Sequence, residues 1–261
     1  MDSGVAVARS GILPGNPVRR GRIGLDPVIL FAGKCNLCGW PIVRIGSGPF
    51  GTRCVRCMST QIHRAAGLVI GSLSLEKDAT VYELSSRGAL HRYLKHRFRR
   101  LECSEYYDDV PPGEMRGGAR CEDVQRLTWR GGAFDLLTCT EVFEHVPDDD
   151  SGFREVFRVL REGGYFVFTV PLLKDRPTIE RAALLPDGRV AHLAEPEYHS
   201  DRIRGARKVL AFRTYGSDLV ARLESAGFSA ETRWITSRPH RVSDVPVNVA
   251  MKPLPGSRTE V

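Results

Sequence analysis

Apolar and polar positions divide the chain into three stretches with different patterns. Residues 1–27 are rich in glycine and proline and have few apolar neighbours, which predicts a flexible arm. An apolar run then leads into a cysteine-rich module at 28–58, and residues 59–79 carry apolar positions at helical spacing. We therefore predict an arm, a small module and a linker helix before the main domain.

From residue 80 onward, short apolar runs alternate with helical patterns. This alternation is typical of an α/β domain with a mostly parallel sheet, which we predict over 80–253. The expected strands are 80–84, 100–105, 119–122, 134–140, 164–170, 230–236 and 245–251, and the expected helices are 88–98, 151–161 and 217–226. The stretch at about 171–214 is too long for a plain connection and contains a hairpin signal, so we predict an insertion that covers the substrate.

Composition narrows the class of protein. The chain has 261 residues with 42% hydrophobic content, which is enough for one core and excludes general disorder. No apolar run has the length of a membrane span and the start does not resemble a secretory signal, so a cytoplasmic protein is expected. The net charge of +7 rests mainly on arginine, a bias that is weak evidence for a nucleic-acid partner.

Four of the seven cysteines form two C-x-x-C pairs, and 54 − 38 − 1 = 15 residues lie between the pairs. This spacing is typical of a tetrahedral Zn²⁺ site, with Gly39 supplying the bend after the first pair. A site closed by four thiolates has no open position, so the zinc would be structural. The predicted ligands are Cys35, Cys38, Cys54 and Cys57.

Acidic residues follow three successive predicted strands: Glu83, Glu105 and Asp123. Ligands of open α/β sheets bind at the carboxyl ends of the strands, where a carboxylate can take ribose hydroxyls. Three carboxylates suit an adenosine ligand with a cationic centre and would repel a pyrophosphate. The turn at 85–90 also lacks G-x-G-x-x-G, which argues against a nicotinamide cofactor.

The stretch 134–147 (FDLLTCTEVFEHVP), followed by FREVFRVL and REGGYFVF, resembles the fourth-to-fifth-strand region of class I S-adenosylmethionine-dependent methyltransferases. The resemblance covers roughly 80–251. The C-x-x-C pairs followed by IHR further resemble a bacterial subgroup in which a zinc ribbon precedes that domain. The resemblance implies a doubly wound, mostly parallel, seven-stranded Rossmann-like sheet, S-adenosylmethionine as cofactor and a structural Zn²⁺.

The resemblance also implies positions for the cofactor-binding residues. Glu83 and the turn after it would form the glycine-loop motif, Glu105 would bind the ribose, Asp123 with Val124 would meet the adenine, and Thr140 with Glu141 would line the methionine portion. Residues 85–87 are Ser-Ser-Arg where many members have glycines. The implied cofactor residues are Glu83, Ser85, Gly88, Glu105, Asp123, Val124, Thr140 and Glu141.

Methyl transfer needs orientation and a dry site, and a general base only when the acceptor is a protonated hydroxyl or amine. The segment 192–199 (HLAEPEYH) lies in the predicted insertion, and its His192, Glu197 and His199 are our general-base candidates. A polar loop with exposed histidines is an equal alternative. A metal site there is not favoured, because six residues separate the histidines. We expect His145 to pack or cap beside the cofactor.

Three functions compete. The leading hypothesis is methyl transfer from S-adenosylmethionine to an oxygen or nitrogen of a small molecule, such as a sugar or secondary metabolite. The second is an RNA methyltransferase that holds its substrate with the zinc ribbon; the scarcity of aromatic residues in the ribbon disfavours it. The third is an inactive zinc-ribbon binding protein, supported only by the altered glycine loop. Neither the acceptor nor the oligomeric state follows from the sequence.

Overall fold

The computed structural model describes residues 28–45, 51–201 and 207–256, so the arm predicted at 1–27 lies outside the described residues. Its helices are α1 (Gln61–Ser72), α2 (Gly88–Arg97), α3 (Asp149–Val159) and α4 (Leu219–Ser225), with a 3-10 turn at Phe143–His145. Its strands are β1 (Val28–Lys34), β2 (Pro41–Ile45), β3 (Thr52–Cys54), β4 (Thr80–Glu83), β5 (Arg100–Glu105), β6 (Met115–Arg116), β7 (Ala119–Cys121), β8 (Phe134–Thr140), β9 (Leu160–Thr169), β10 (Ile179–Glu180), β11 (Ala182–Leu184), β12 (Val190–His192), β13 (Glu197–Asp201), β14 (Arg207–Ala211), β15 (Arg213–Thr214), β16 (Ser229–Ser237) and β17 (Val242–Met251).

The main sheet has the strand order β16-β17-β9-β8-β4-β5-β7-β6. Its centre is parallel, from β9 through β8, β4 and β5 to β7, and antiparallel pairs close both edges. Helices α1 and α2 contribute to the core on one face, while α3 and α4 contribute to the core on the other. The doubly wound, mostly parallel Rossmann-like fold expected from the sequence is confirmed.

The prediction of seven strands is corrected by one, since the sheet also contains the two-residue strand β6. Gly117 and Gly118 connect β6 to β7 with φ of 57° and 82°. Two successive positive φ angles are what a tight hairpin turn requires, and glycine adopts them without strain. The Gly-Gly pair therefore lets the chain fold back along β7 and add an edge strand.

The fifth predicted strand also begins earlier than expected. Leu160 pairs with Phe134 at the start of β9, so α3 ends at Val159 and no connecting loop follows it. Phe153, Val156 and Val159 bury one face of α3, and Asp148 caps its start by accepting a hydrogen bond from the Ser151 N–H. Helix α3 is therefore capped at its start, packed in the core along one face and continued directly by β9.

The cysteine-rich segment forms a separate three-stranded antiparallel sheet, β1-β2-β3. Helix α1, expected as a linker, buries Ala65, Ala66, Val69 and Ile70 in the same core as β17 and β9. The helix thus belongs to the packing of the main sheet. The boundaries 28–58, 59–79 and 80–253 stay predictions.

Between β9 and α4, the described part of the chain forms three two-stranded pieces, β10 with β15, β11 with β12, and β13 with β14. The hairpin signal in the sequence corresponds to β11 and β12. Within the described ranges, no helix has the length and apolar character needed to cross a membrane.

Candidate functional site

The four predicted zinc ligands lie together, with their sulfur atoms within 4.8 Å of one another. Sγ of Cys35 is 3.7 Å from that of Cys57, and Sγ of Cys38 is 3.4 Å from that of Cys54. A tetrahedral zinc with Zn–S bonds of about 2.3 Å places its sulfurs about 3.8 Å apart. The donor set and its spacing therefore fit Zn²⁺.

Two similar turns present the four sulfurs. In the first turn the Gly39 N–H donates to the Cys35 carbonyl, and in the second the Met58 N–H donates to the Cys54 carbonyl. Both turns end on a residue in the left-handed region, Gly39 with φ of 76° and Met58 with φ of 58°. The sequence identified the glycine, but nothing in the residue type pointed to Met58.

One buried arginine joins this ribbon to the main sheet. The guanidinium of Arg64, on α1, donates to the carbonyls of Ser59, His240 and Arg241, with donor–acceptor distances of 2.7, 2.7 and 3.1 Å. Ser59 follows the second pair of cysteines, and the other two carbonyls lie in the turn between β16 and β17. The side chain of Arg64 is fully buried, so these bonds have no competition from water.

The ribbon also contacts the start of α2. Ala89 belongs to the same buried cluster as Cys35, Cys54 and Cys57. Ala89 directly follows Gly88, the last residue of the loop implied to bind the cofactor. The four-cysteine site therefore packs against the start of α2, directly after this loop.

The implied cofactor residues lie at the carboxyl ends of four neighbouring parallel strands. Glu83 ends β4 and is 1% exposed, and it accepts a hydrogen bond from the hydroxyl of Thr138. Burial raises the pKa of Glu83 to about 8, and the negative charge of Glu105 adds to this effect. At neutral pH Glu83 is therefore mostly protonated. In that form its carboxyl group can donate one hydrogen bond as well as accept the bond from Thr138.

Glu105 ends β5, where the sequence placed the ribose. Its Oε1 accepts from the backbone N–H of Ser86 at 2.9 Å and from the hydroxyl of Ser86 at 2.7 Å. Neither bond uses Oε2, and the Ser86 contacts hold the carboxylate against the loop between β4 and α2. Gly88 in this loop has φ of 103° and open space where a side chain would lie, and Ser85 bonds within the loop to the Arg87 carbonyl.

Asp123 and Val124 follow β7. Asp123 accepts from the backbone and side-chain N–H groups of Gln125, an arrangement that orders the turn. Val124 is 7% exposed and packs in the core beside Phe143. Both residues lie at the expected strand end, and the Asp123 carboxylate is hydrogen-bonded to Gln125 two residues later.

Thr140 ends β8 and Glu141 follows it with φ of 55°, in the left-handed region. The N–H of Glu141 donates to the Thr169 carbonyl at the end of β9. Burial raises the pKa of Glu141 to about 7, and the nearby Glu144 charge contributes. A non-glycine residue held in this conformation marks a sharp turn at the middle of the ligand-binding edge.

Two of the three general-base candidates, Glu197 and His199, lie together, and His192 lies apart from them. His192 is exposed in the β11–β12 hairpin, paired across the strands with Ala182. Glu197 and His199 are on β13, with Oε1 of Glu197 3.2 Å from Nε2 of His199. Arg181 holds the other oxygen of Glu197 at 3.0 Å.

His199 also meets two residues from the turn after β8. Its Nδ1 lies 3.2 Å from Nε2 of His145 and 3.6 Å from Oε1 of Glu144, and the latter two atoms are 3.7 Å apart. We call these three residues the Glu–His–His cluster. Interaction with the Glu144 carboxylate raises the pKa of His199 to about 9, so in this arrangement its imidazole holds a proton at neutral pH.

Sequence reasoning expected His145 to pack beside the cofactor and did not consider Glu144. The contact with His199 forms because Nδ1 of His145 bonds the Leu210 carbonyl on β14, which pairs with β13. Buried Arg213 strengthens this attachment by donating to the carbonyls of Val146 and Pro147. In the sequence, the adjacent pair Glu144-His145 was the available sign of a polar site. It did not indicate that His199 would be the contact.

Residues 82–168 match the protein family described as "Methyltransferase domain". This range includes every cofactor residue implied by the sequence. Over these residues the chain is therefore a methyltransferase domain. The methyltransferase domain thus accounts for the central strands, while the ribbon and the insertion lie outside the matched range.

Two curated relatives share parts of the chain. Demethylmenaquinone methyltransferase of Mycolicibacterium vanbaalenii is 32% identical over 118 residues, which is 43% of this chain and 50% of the relative. Sarcosine/dimethylglycine N-methyltransferase of Halorhodospira halochloris is 48% identical over 57 residues, 22% of this chain and 19% of the relative. The chain therefore spans half or less of the length of these relatives.

Among solved structures, an S-adenosylmethionine-dependent methyltransferase from Mesorhizobium loti is 16% identical. The two superimpose with a TM-score of 0.46, covering 72% of this chain and 97% of the other.

Proposed function

We propose that this protein transfers a methyl group from S-adenosylmethionine to an oxygen or nitrogen of a small molecule. The observation that carries the proposal is the row of polar residues at the carboxyl ends of β4, β5, β7 and β8, inside the range matched by the methyltransferase family. Parallel α/β sheets bind their ligands at this edge.

The donor set fits the cofactor. Bound S-adenosylmethionine would supply a methyl group activated on a sulfonium. Glu105 would accept the ribose hydroxyls through the carboxylate oxygen that Ser86 does not use, and Asp123 would stand at the adenine. Glu83, Thr140 and Glu141 would line the remaining polar part. Four of these groups are carboxyls, and those that are ionised favour a cationic ligand over an anionic one.

The acceptor would enter from the side of the insertion at about 171–214. The curated relatives carry names of enzymes that act on a quinone and on small amines, which supports a small-molecule acceptor here. His192, Glu197 and His199 stay the general-base candidates of this proposal, and His199 would act as a base only after it loses the proton that it holds at neutral pH. The four-cysteine site would hold one structural Zn²⁺ that supports the loop before α2.

Cofactor binding tests the first step. We expect S-adenosylhomocysteine to bind the purified protein, and Glu105→Ala to weaken this binding by about 10- to 100-fold, because a charge-assisted pair of hydrogen bonds is lost. Glu102→Ala is the matched control, since Glu102 is an exposed glutamate on the same strand. Titration calorimetry on all three proteins gives the dissociation constants. Absence of binding to the wild type would favour the inactive alternative.

The acceptor class is tested with methyl-labelled S-adenosylmethionine and an extract of the host. We expect the label to remain acid-soluble, and mass spectrometry would then identify the product. Acid-precipitable label that disappears after ribonuclease treatment would contradict the proposal and support the RNA alternative.

A further inference from the structure

We propose that Glu144, His145 and His199 bind one divalent metal ion, at a site separate from the four cysteines. The proposal goes beyond the methyltransferase function and depends on the Glu–His–His cluster alone. Two imidazole nitrogens with one carboxylate oxygen form a donor set that suits first-row divalent ions, including the borderline Zn²⁺ and Co²⁺ and the harder Mn²⁺.

The spacing of the three donor atoms supports a single ion. Nδ1 of His199, Nε2 of His145 and Oε1 of Glu144 form a triangle with sides of 3.2, 3.6 and 3.7 Å. The centre of such a triangle is about 2.0 Å from each corner, and metal–ligand bonds to histidine and carboxylate are about 2.0–2.2 Å long. No side chain has to move far for the ion to reach all three donors.

Both histidines are oriented as metal ligands usually are. Nδ1 of His145 bonds the Leu210 carbonyl at 2.8 Å, and Nε2 of His199 bonds the Glu197 carboxylate at 3.2 Å. In each ring the nitrogen that points away from the cluster is thus held by an oxygen, which leaves the other nitrogen to face the centre. This pattern fixes the tautomer and raises the basicity of a ligating histidine.

Glu144 supplies an independent observation. Its side chain is fully buried, and neither carboxylate oxygen has a hydrogen-bond partner among the described residues. A buried carboxylate of this kind is strongly destabilising unless a cation compensates it, and the groups that approach its Oε1 are the imidazoles of His199 at 3.6 Å and His145 at 3.7 Å. A bound metal ion would satisfy both the charge and the empty coordination of Oε1.

Three protein ligands leave the ion with free positions. The side chains of His145 and His199 are 18% and 29% exposed, so the cluster has an open side toward solvent. A site of this kind binds water or a substrate oxygen and lowers the pKa of a bound hydroxyl. If the proposed function holds, the acceptor would carry a hydroxyl that binds the ion, which favours oxygen over nitrogen as the methylated atom.

The test uses the full chain with zinc in the four-cysteine site and titrates it with Mn²⁺, followed by electron paramagnetic resonance. Manganese has little affinity for thiolates, so the four cysteines do not compete for it. We expect one Mn²⁺ per chain in the wild type and binding about 100-fold weaker in Glu144→Gln and His199→Gln. His192→Ala, which removes an exposed histidine of the same insertion, should bind as the wild type does.

A second titration with Co²⁺ should show weak visible bands of nitrogen and oxygen ligands without thiolate charge transfer. Failure of the wild type to bind either ion would overturn the proposal, and so would equal binding by all variants. Circular dichroism on each variant confirms that it is folded. Calorimetry with S-adenosylhomocysteine on the same samples separates the two proposals, because a protein that binds metal but not this ligand would refute only the methyltransferase function.

Discussion

The four-cysteine site and the Glu–His–His cluster differ in how many sides they leave open. Four sulfurs surround one position in the first, and three of the four cysteines are buried. The second offers three donors, and both of its histidines are partly exposed. A closed donor set can only hold structure together, whereas an open one can bind a substrate atom. The two clusters therefore should respond oppositely to substitution, the first in stability and the second in activity.

The largest effect is expected from Cys54→Ser. Loss of one thiolate should release the zinc and destabilise the protein by more than about 4 kcal/mol, because the ion would join the two turns that present the four sulfurs. Urea unfolding with zinc analysis measures both quantities. Cys103→Ser is the control, since Cys103 lies on β5 outside the cluster. Retained zinc and unchanged stability in Cys54→Ser would show that the ribbon does not depend on the ion.

Glu144→Gln should do the reverse. We expect methyl transfer to fall by about 100-fold, because the ion that binds the acceptor is lost. Stability should change much less than in Cys54→Ser, since the substitution removes a buried charge without hydrogen bonds and also its ion pair with His199, two effects of opposite sign. Activity with the identified acceptor and thermal unfolding are measured side by side. A loss of stability as large as that of Cys54→Ser would remove the distinction between the two sites.

A second buried carboxyl, Glu83, sharpens the comparison because it accepts a hydrogen bond from the Thr138 hydroxyl and forms no ion pair within the part of the chain that the structure describes. Burial raises its pKa from 4.5 to about 8, so the folded state keeps the proton longer than the unfolded state does. The free energy of unfolding should therefore fall as pH rises from about 4.5 to about 8, by at most about 1.4 kcal/mol per pH unit from this group.

Glu83→Gln should lack this contribution, so its stability relative to the wild type should grow between pH 5 and pH 8. Urea unfolding at four pH values measures the difference, with Glu102→Gln as the control for the loss of one glutamate. A constant difference across this range would mean that Glu83 titrates alike in both states.

The smallest effect concerns the two turns of the ribbon. Met58 takes a left-handed conformation that Gly39 adopts freely at the matching position. Met58→Gly should therefore raise the stability of the zinc-bound protein by about 0.5–1 kcal/mol, because the side chain is 50% exposed and little packing is lost. Thermal unfolding with zinc present detects this shift. A decrease would show that the methionine contributes more through contacts than it costs through its backbone.

Local patterns predicted most of the fold and the closed site. Alternation of apolar runs predicted the seven main strands, and the C-x-x-C spacing predicted the cluster of four cysteines, because both signals depend on short-range spacing in the sequence. The Glu–His–His cluster was not predictable in this way. His145 and His199 are 54 residues apart, and the Leu210 carbonyl on β14 sets their contact. The hairpin at Gly117 and Gly118 was predictable from the sequence, because a Gly-Gly pair is a local turn signal. The early start of β9 was not, because it depends on the pairing of Leu160 with Phe134 on β8.

The buried guanidinium of Arg64 links the ribbon to the main sheet, so we expect the two to unfold as one cooperative unit. It bonds one carbonyl beside the cysteines and two in the turn at the edge of the sheet. Unfolding of either the ribbon or the turn would leave a buried cation without its acceptors, so the free energy of unfolding one of them alone is high. Heating should then produce one transition in which zinc release and loss of the sheet coincide. Depletion of zinc would therefore destabilise the main sheet as well as the ribbon.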